Sequence, residues 1–296
     1  MMTAESFTLK IEAKFRRGFD SNLQESNSIM NRRKKKIAHL IITVALVNLT
    51  AMGKLQDEVA LPIIIVRAAR NQDQSLKVRD RCRYEQSLRI ERFKPSKGDK
   101  REGQIAERLS LRETVVMVEP SRTPDEQGRH EIITRVIADT DDDGKPKKKV
   151  DPDARTALAS QAFLDLIFFP LLPEKIRYYR FEEIRSDREG ERAFRFLPKQ
   201  GVVTEPVVFG LVLLDASTGE VLTVKIEGFR NLEALDKHLS GVKSFYAIID
   251  YSQFNGKYRM PTYATGAGLS EVSRFKGEFK FSFRESRYVP VLALPE

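Results

Sequence analysis

Residues 206–228 read PVVFGLVLLDASTGEVLTVKIEG. Val207 to Leu214 is an apolar run of single-strand length, and Asp215-Ala216-Ser217-Thr218-Gly219 is a polar break ending in glycine. Leu222, Val224 and Ile226 then alternate with Thr223, Lys225 and Glu227. Apolar/polar alternation marks a half-buried strand, and two such runs joined by a short glycine-containing link mark an antiparallel hairpin. Gly219 takes the positive φ that such a link needs without a steric penalty.

The same unit recurs on both sides. Upstream, Cys82, Tyr84, Leu88 and Ile90 share one parity with Val78, while Arg79, Arg81, Arg83, Glu85, Arg89 and Glu91 share the other, so a strand is expected from Val78. Further strands are expected over 107–119, closed by Pro120, and over 129–139. Downstream, 176–186 and 192–197 flank the turn Asp187-Arg188-Glu189-Gly190. Residues 229–241 read as a loop or short helix, and 242–251 and 256–263 as strands. In 271–284 the phenylalanines Phe279, Phe281 and Phe283 alternate with Lys280, Ser282 and Arg284, the cleanest period of two in the chain.

Two helices interrupt the strands. Leu55, Val59, Ile63, Val66 and Ala69 recur at helical spacing over 55–76, with Pro62 in the first turns. Asp151-Pro152 then reads as an N-cap followed by proline at the first helical position, and Ala154, Leu158, Ala162, Leu166 and Phe169 continue to Pro170. Runs of strands with few helices predict a mainly β (α+β) fold, a large curled antiparallel sheet or incomplete barrel with two helices packed on its concave face.

The N-terminal region differs in kind. Asn31-Arg32-Arg33-Lys34-Lys35-Lys36 is a cationic block, followed by apolar residues 37–52 and the small residues around Gly53. Basic, apolar, small is the order of a secretory leader, and the apolar stretch is shorter than the roughly 20 residues of a spanning helix. Residues 30–53 are therefore expected to be a signal peptide, and the protein periplasmic or secreted. The alternative is an uncleaved anchor in the inner membrane through residues 37–52. A leader starts a chain, and Met30 directly precedes the basic block, so residues 1–29 are expected to lie upstream of the true start. That leaves 54–296 as one domain.

The formal charge of +9 reflects 51 Lys/Arg against 42 Asp/Glu. The first 53 residues hold nine of the basic and four of the acidic ones, leaving 42 against 38 in the remainder. So mild a balance, with no accompanying motif, gives no footprint for nucleic acid. Cys82 is the single cysteine and can form no internal disulfide.

Catalytic and metal-binding constellations are missing from the sequence. Asp139-Thr140-Asp141-Asp142-Asp143-Gly144 matches the first half of a calcium loop, but its twelfth position is Val150 and Lys147-Lys148-Lys149 would repel the ion. His39, His130 and His238 lack paired ligand spacing. Gly266-Ala267-Gly268 lacks the next glycine and the helix of a phosphate loop. Glu182 and Glu183 point to opposite faces of a strand. No enzyme activity and no cofactor are expected.

Several stretches resemble the outer-membrane lipoprotein-sorting (LolA/LolB-like) family. They are Tyr178-Tyr179-Arg180-Phe181, Ala193-Phe194-Arg195-Phe196, Leu213 to Val221 with its D-A-S-T-G link, and Phe283-Arg284-Glu285-Ser286-Arg287-Tyr288. The resemblance spans roughly residues 54–296 and rests on strand and hairpin signatures. It implies a periplasmic, non-enzymatic protein whose incomplete barrel holds a lipid or a lipoprotein acyl chain. Phe163, Phe194, Phe196, Phe279, Phe281 and Phe283 are the candidate lining. The competing expectation is an envelope scaffold or sensor whose sheet is filled by its own side chains and which acts through protein contacts.

Overall fold

Alternation of side chains decides which faces the strands bury, and the fold follows from how those faces line up. The computed structural model describes residues 61–94, 107–124, 130–150, 161–199, 204–271 and 276–294. All lie within one unit, residues 59–296. The strands are β1 (Cys82–Phe93), β2 (Arg108–Pro124), β3 (His130–Asp139), β4 (Tyr179–Ile184), β5 (Glu191–Pro198), β6 (Val207–Asp215), β7 (Val221–Arg230), β8 (Val242–Phe254), β9 (Tyr258–Ser270) and β10 (Gly277–Pro290). Helix α1 spans Ile63–Arg79 and α2 spans Gln161–Phe168.

The ten strands form one antiparallel sheet in the order β3-β2-β1-β10-β9-β8-β7-β6-β5-β4. The first three strands meander outward to one edge; the chain crosses through α2 to the opposite edge and meanders back until β10 pairs with β1. The sheet is open, with β3 and β4 as its edges. This is the mainly β architecture expected from the alternation.

Cross-strand partners share a face. One row of partners runs across the whole sheet: Asp139, Thr114, Leu88, Phe283, Ala264, Ile249, Val224, Val212, Phe194 and Glu183. The apolar middle of this inner face joins Ile64, Ile65, Ala68 and Ala69 of α1 and Phe163, Leu164, Leu166, Ile167 and Phe168 of α2 in one core. Each such side chain, fully buried, contributes roughly 1.5–3 kcal/mol. A smaller cluster, with Val78, Cys82, Tyr84, Val116, Val118, Val136, Tyr258 and Met260, lies beyond it.

The 215–219 link is tied to α1. The Asp215 carboxylate accepts from the backbone N–H of Ser217 and Thr218, both at 2.9 Å, and from their hydroxyls at 2.6 and 3.1 Å. Gly219 has φ +70°, and a Cβ there would stand 3.1 Å from the Arg67 side chain. Arg67 Nη1 donates to the Ser217 carbonyl (2.7 Å) and Asn71 to that of Thr218 (3.2 Å).

Element boundaries depart from the sequence reading at α1, β1, β2, β4, β9 and β10. Helix α1 continues to Arg79, so β1 begins only at Cys82, because Val78 and Arg79 belong to the buried helix face. Pro62 stands just before the helix as its N-cap residue. Strand β2 runs through Pro120 to Pro124 rather than ending. Beyond Val118 it is paired with β3 alone, so the donor that Pro120 lacks is not needed on the other side. Strand β4 is preceded by a 3₁₀ turn over Ile176–Tyr178, β9 runs on from Tyr258 to Ser270, and β10 starts only at Gly277 and runs to Pro290. The 229–241 segment, expected as a loop or short helix, forms two 3₁₀ turns, Leu232–Ala234 and Lys237–Gly241. Residues 151–160, expected to open the second helix, lie outside the described residues, as does the expected leader.

Candidate ligand-binding face

The phenylalanine alternation of β10 points its rings to the inner face, and two of them meet glycines on the neighbouring strand. Phe281 is paired with Gly266 of β9, and Phe279 with Gly268. A Cβ on Gly266 would stand 2.5 Å from the Phe281 ring, and one on Gly268 would stand 2.6 Å from that of Phe279. The rings therefore lie on bare backbone. Strands β8 and β10 are separated by β9, a span of about 9.5 Å. Across it Phe245 of β8 stacks on Phe281, with centroids 5.4 Å apart and planes 10° apart. Phe163 of α2 meets Phe245 edge-on at 5.6 Å, and Phe279 lies 6.5 Å from Phe281. Two alternating glycines thus create an aromatic ledge. In the sequence they are legible only as a failed phosphate loop.

The six candidate phenylalanines are not all in one place. Phe163, Phe279 and Phe281 belong to the ledge together with Phe245, which the sequence reading did not single out. Phe283 is 3% exposed and packs on Phe168 of α2 at 4.9 Å. Phe194 and Phe196 lie on β5, on the far side of β6 to β9, and Phe196 meets Tyr179 edge-on at 5.4 Å. Phe279 and Phe281 are half-buried, so they are the rings of the six that keep substantial contact with solvent.

A polar seam crosses the core behind the ledge. Arg79, at the end of α1, donates through Nε and Nη2 to the two oxygens of Glu285 (3.1 and 2.5 Å) and through Nη1 to Asp165 of α2 (3.0 Å). Gln86 Nε2 also donates to Glu285 (2.9 Å), as does the Tyr288 hydroxyl. The guanidinium lies 5.0 Å from the Tyr84 ring centroid. Burial works against the Arg79 charge, but Glu285 together with Tyr84 and Tyr288 more than offsets it and holds the arginine protonated. At Asp165 burial wins over the attraction of Arg79, and the carboxyl is raised above its ordinary value. The C-terminal end of α2 is fixed by the same seam. Gln72 accepts from the Leu171 N–H (2.9 Å) and donates to the Phe168 carbonyl (3.4 Å), which also accepts from the Tyr251 hydroxyl.

The acidic 139–144 segment is a turn. Asp139 accepts from Arg112 (3.3 and 2.9 Å), Thr114 (2.9 Å) and Lys147 (2.5 Å). Burial would raise its carboxyl, but these hydrogen bonds prevail and bring it down to about 2. Asp141 accepts from the backbone N–H of Asp143 and Lys145. Among the described residues no group of three His, Cys, Asp or Glu side chains is arranged to hold a metal ion. Cys82 is buried, and burial raises its thiol to about 11. No described helix is long and apolar enough to cross a membrane.

Comparison with known proteins returns no match to a protein family, to a curated protein or to a solved structure.

Proposed function

We propose that this is a non-enzymatic, exported envelope protein that holds an acyl chain, of a lipid or of a lipoprotein, against the inner face of its sheet. The observation that carries the reading is the half-buried Phe279–Phe281 ledge on its glycine backing. It is continuous with the buried core and flanked by Phe163 of α2. An apolar chain laid there would gain about 0.8 kcal/mol for each CH₂ it buries. An apolar lining suffices for such a ligand, and no catalytic group is required.

Native mass spectrometry of the purified full-length chain, with lipid extraction alongside, tests this. A co-purifying acyl species that is lost in a folded Phe281→Asp variant is the expected result. A clean apo mass, with no uptake of a fluorescent fatty acid, would overturn it.

A second reading, an envelope scaffold acting through protein contacts, is favoured by a different observation. Phe163, Phe194, Phe196 and Phe283 are each at most 8% exposed and pack on other side chains of the core. A sheet filled in this way needs no ligand to complete it. The apo outcome above would leave this reading in front.

A further inference from the structure

The two edges of the open sheet differ in what they offer a further strand. Along an antiparallel pair, alternate residues turn their N–H and C=O toward the neighbour and the others turn them away. The Thr140 N–H donates to the Glu113 carbonyl, so the odd-numbered residues of β2 face β3. Among them Met117 and Glu119 stand opposite Arg135 and Ile133. Ile132 and Thr134 of β3 therefore turn their backbone groups away from β2. Among the described residues no strand pairs with β3 on that side. Val136 faces the same way but is buried, and the Asp139 carbonyl accepts from the Lys147 N–H. The open stretch is thus centred on Ile133. It is β-branched at Ile132, Ile133 and Thr134, and β3 holds neither the lysine nor the proline that commonly guards an edge.

At the other edge the Lys199 N–H donates to the Tyr178 carbonyl, so Tyr179, Phe181 and Glu183 of β4 face outward. Tyr179 is wholly buried, which leaves Phe181 and Glu183. Each edge can be set against a copy of itself about a two-fold axis. For β4, pairing Phe181 with the partner's Glu183 puts Glu182 directly opposite the partner's Glu182, and opposed like charges disfavour the pair. For β3, pairing Ile132 with the partner's Thr134 puts Ile133 opposite the partner's Ile133. It also puts Glu131 opposite the partner's Arg135, twice over. Glu131 is exposed. The Arg135 side chain is 60% exposed and reaches Glu119 only at 4.0 Å.

We propose that β3 is a pairing edge for a second copy of this chain, joining two ten-stranded sheets across a two-fold axis at Ile133. Roughly four main-chain hydrogen bonds form, two for each Ile132–Thr134 pair. The two Glu131–Arg135 pairs fix the register and exclude the neighbouring ones. The inference is independent of whether the phenylalanine ledge holds a chain.

Sedimentation equilibrium of the full-length protein tests it, and a dimer is expected at micromolar concentration. Thr134→Pro removes a donor that faces away from β2, so it should lower the mass to that of one chain with circular dichroism unchanged. Glu131→Arg and Arg135→Glu each oppose like charges across the axis, and each alone should be monomeric. Mixing these two variants restores opposite charges at both positions and should recover a dimer, a result that does not depend on the proline being tolerated. A parent chain that stays monomeric throughout the micromolar range, a dimer that persists in both charge variants, or a mixture that stays monomeric would overturn the assignment.

Discussion

Arg79 and Glu285, 206 positions apart in the chain, form a two-point ion pair with neither side chain reaching solvent. The pair joins the last turn of α1 to the strand that carries the phenylalanine row. Removing one partner of such a pair leaves the other charged and buried, which costs about 3–5 kcal/mol. Glu285→Gln is expected to lose that much in urea unfolding. The double variant Arg79→Met/Glu285→Leu should lose far less than the two single changes together. A Glu285→Gln cost below about 1 kcal/mol would mean that the pair is not desolvated in solution.

Two aspartates give the acid limb of stability opposite signs. Asp215 is held at about 2, first by the Ser217 hydroxyl and then by the Thr218 backbone N–H. Its folded value lies below its ordinary 3.8, so its contribution is complete above that value and is lost as pH falls toward 2. The stability gap between the parent protein and Asp215→Asn should therefore be widest near neutrality and close below pH 4. Asp165 is raised by burial beyond what Arg79 restores. Its ionisation weakens the fold, so the parent should lose stability relative to Asp165→Asn as pH rises from the ordinary carboxylate range toward neutrality. Chemical denaturation across that range checks both, and parallel curves would refute both assignments.

Replacing a strand glycine with alanine ordinarily helps, because it restricts the unfolded chain. Gly266 should behave otherwise. Its Cβ would meet the Phe281 ring at 2.5 Å and also the backbone of β8. Gly266→Ala is expected to destabilise by about 1–3 kcal/mol, the range for overpacking. It should also break the Phe245–Phe281 stack, visible as a change in near-ultraviolet circular dichroism. Gly256→Ala is a poor control despite its open surroundings, since Gly256 has φ +65°.

Much of this fold is legible in the sequence because a strand's period of two is a local property. The 206–228 hairpin, the Phe279–Phe283 alternation and the antiparallel class all follow from neighbours in the chain. What is not legible depends on pairing at a distance. Nothing local says that β10 joins β1, or that the glycines of β9 fall in line with the phenylalanines of β10. One signal was available. Glu285 has the parity of Phe279, Phe281 and Phe283, so the strand pattern puts a carboxylate on the apolar face, where it demands a partner. Helical spacing from Ile65 through Ala69, Gln72 and Ser75 reaches Arg79 in the same way.

The meeting of β1 and β10 at the middle of the sheet orders events in time as well as space. Until residues 277–290 have been synthesised, β1 to β3 and β4 to β9 are two meanders with no strand between them. Each then exposes an unpaired edge, β1 on one and β9 on the other. Strand β10 closes both edges at once, and it also brings in Glu285, the fully buried counter-charge of Arg79 that joins the earlier-made Asp165. The nascent chain therefore carries two open edges until residues 277–290 emerge, which makes β10 the strand that joins the two meanders into one sheet.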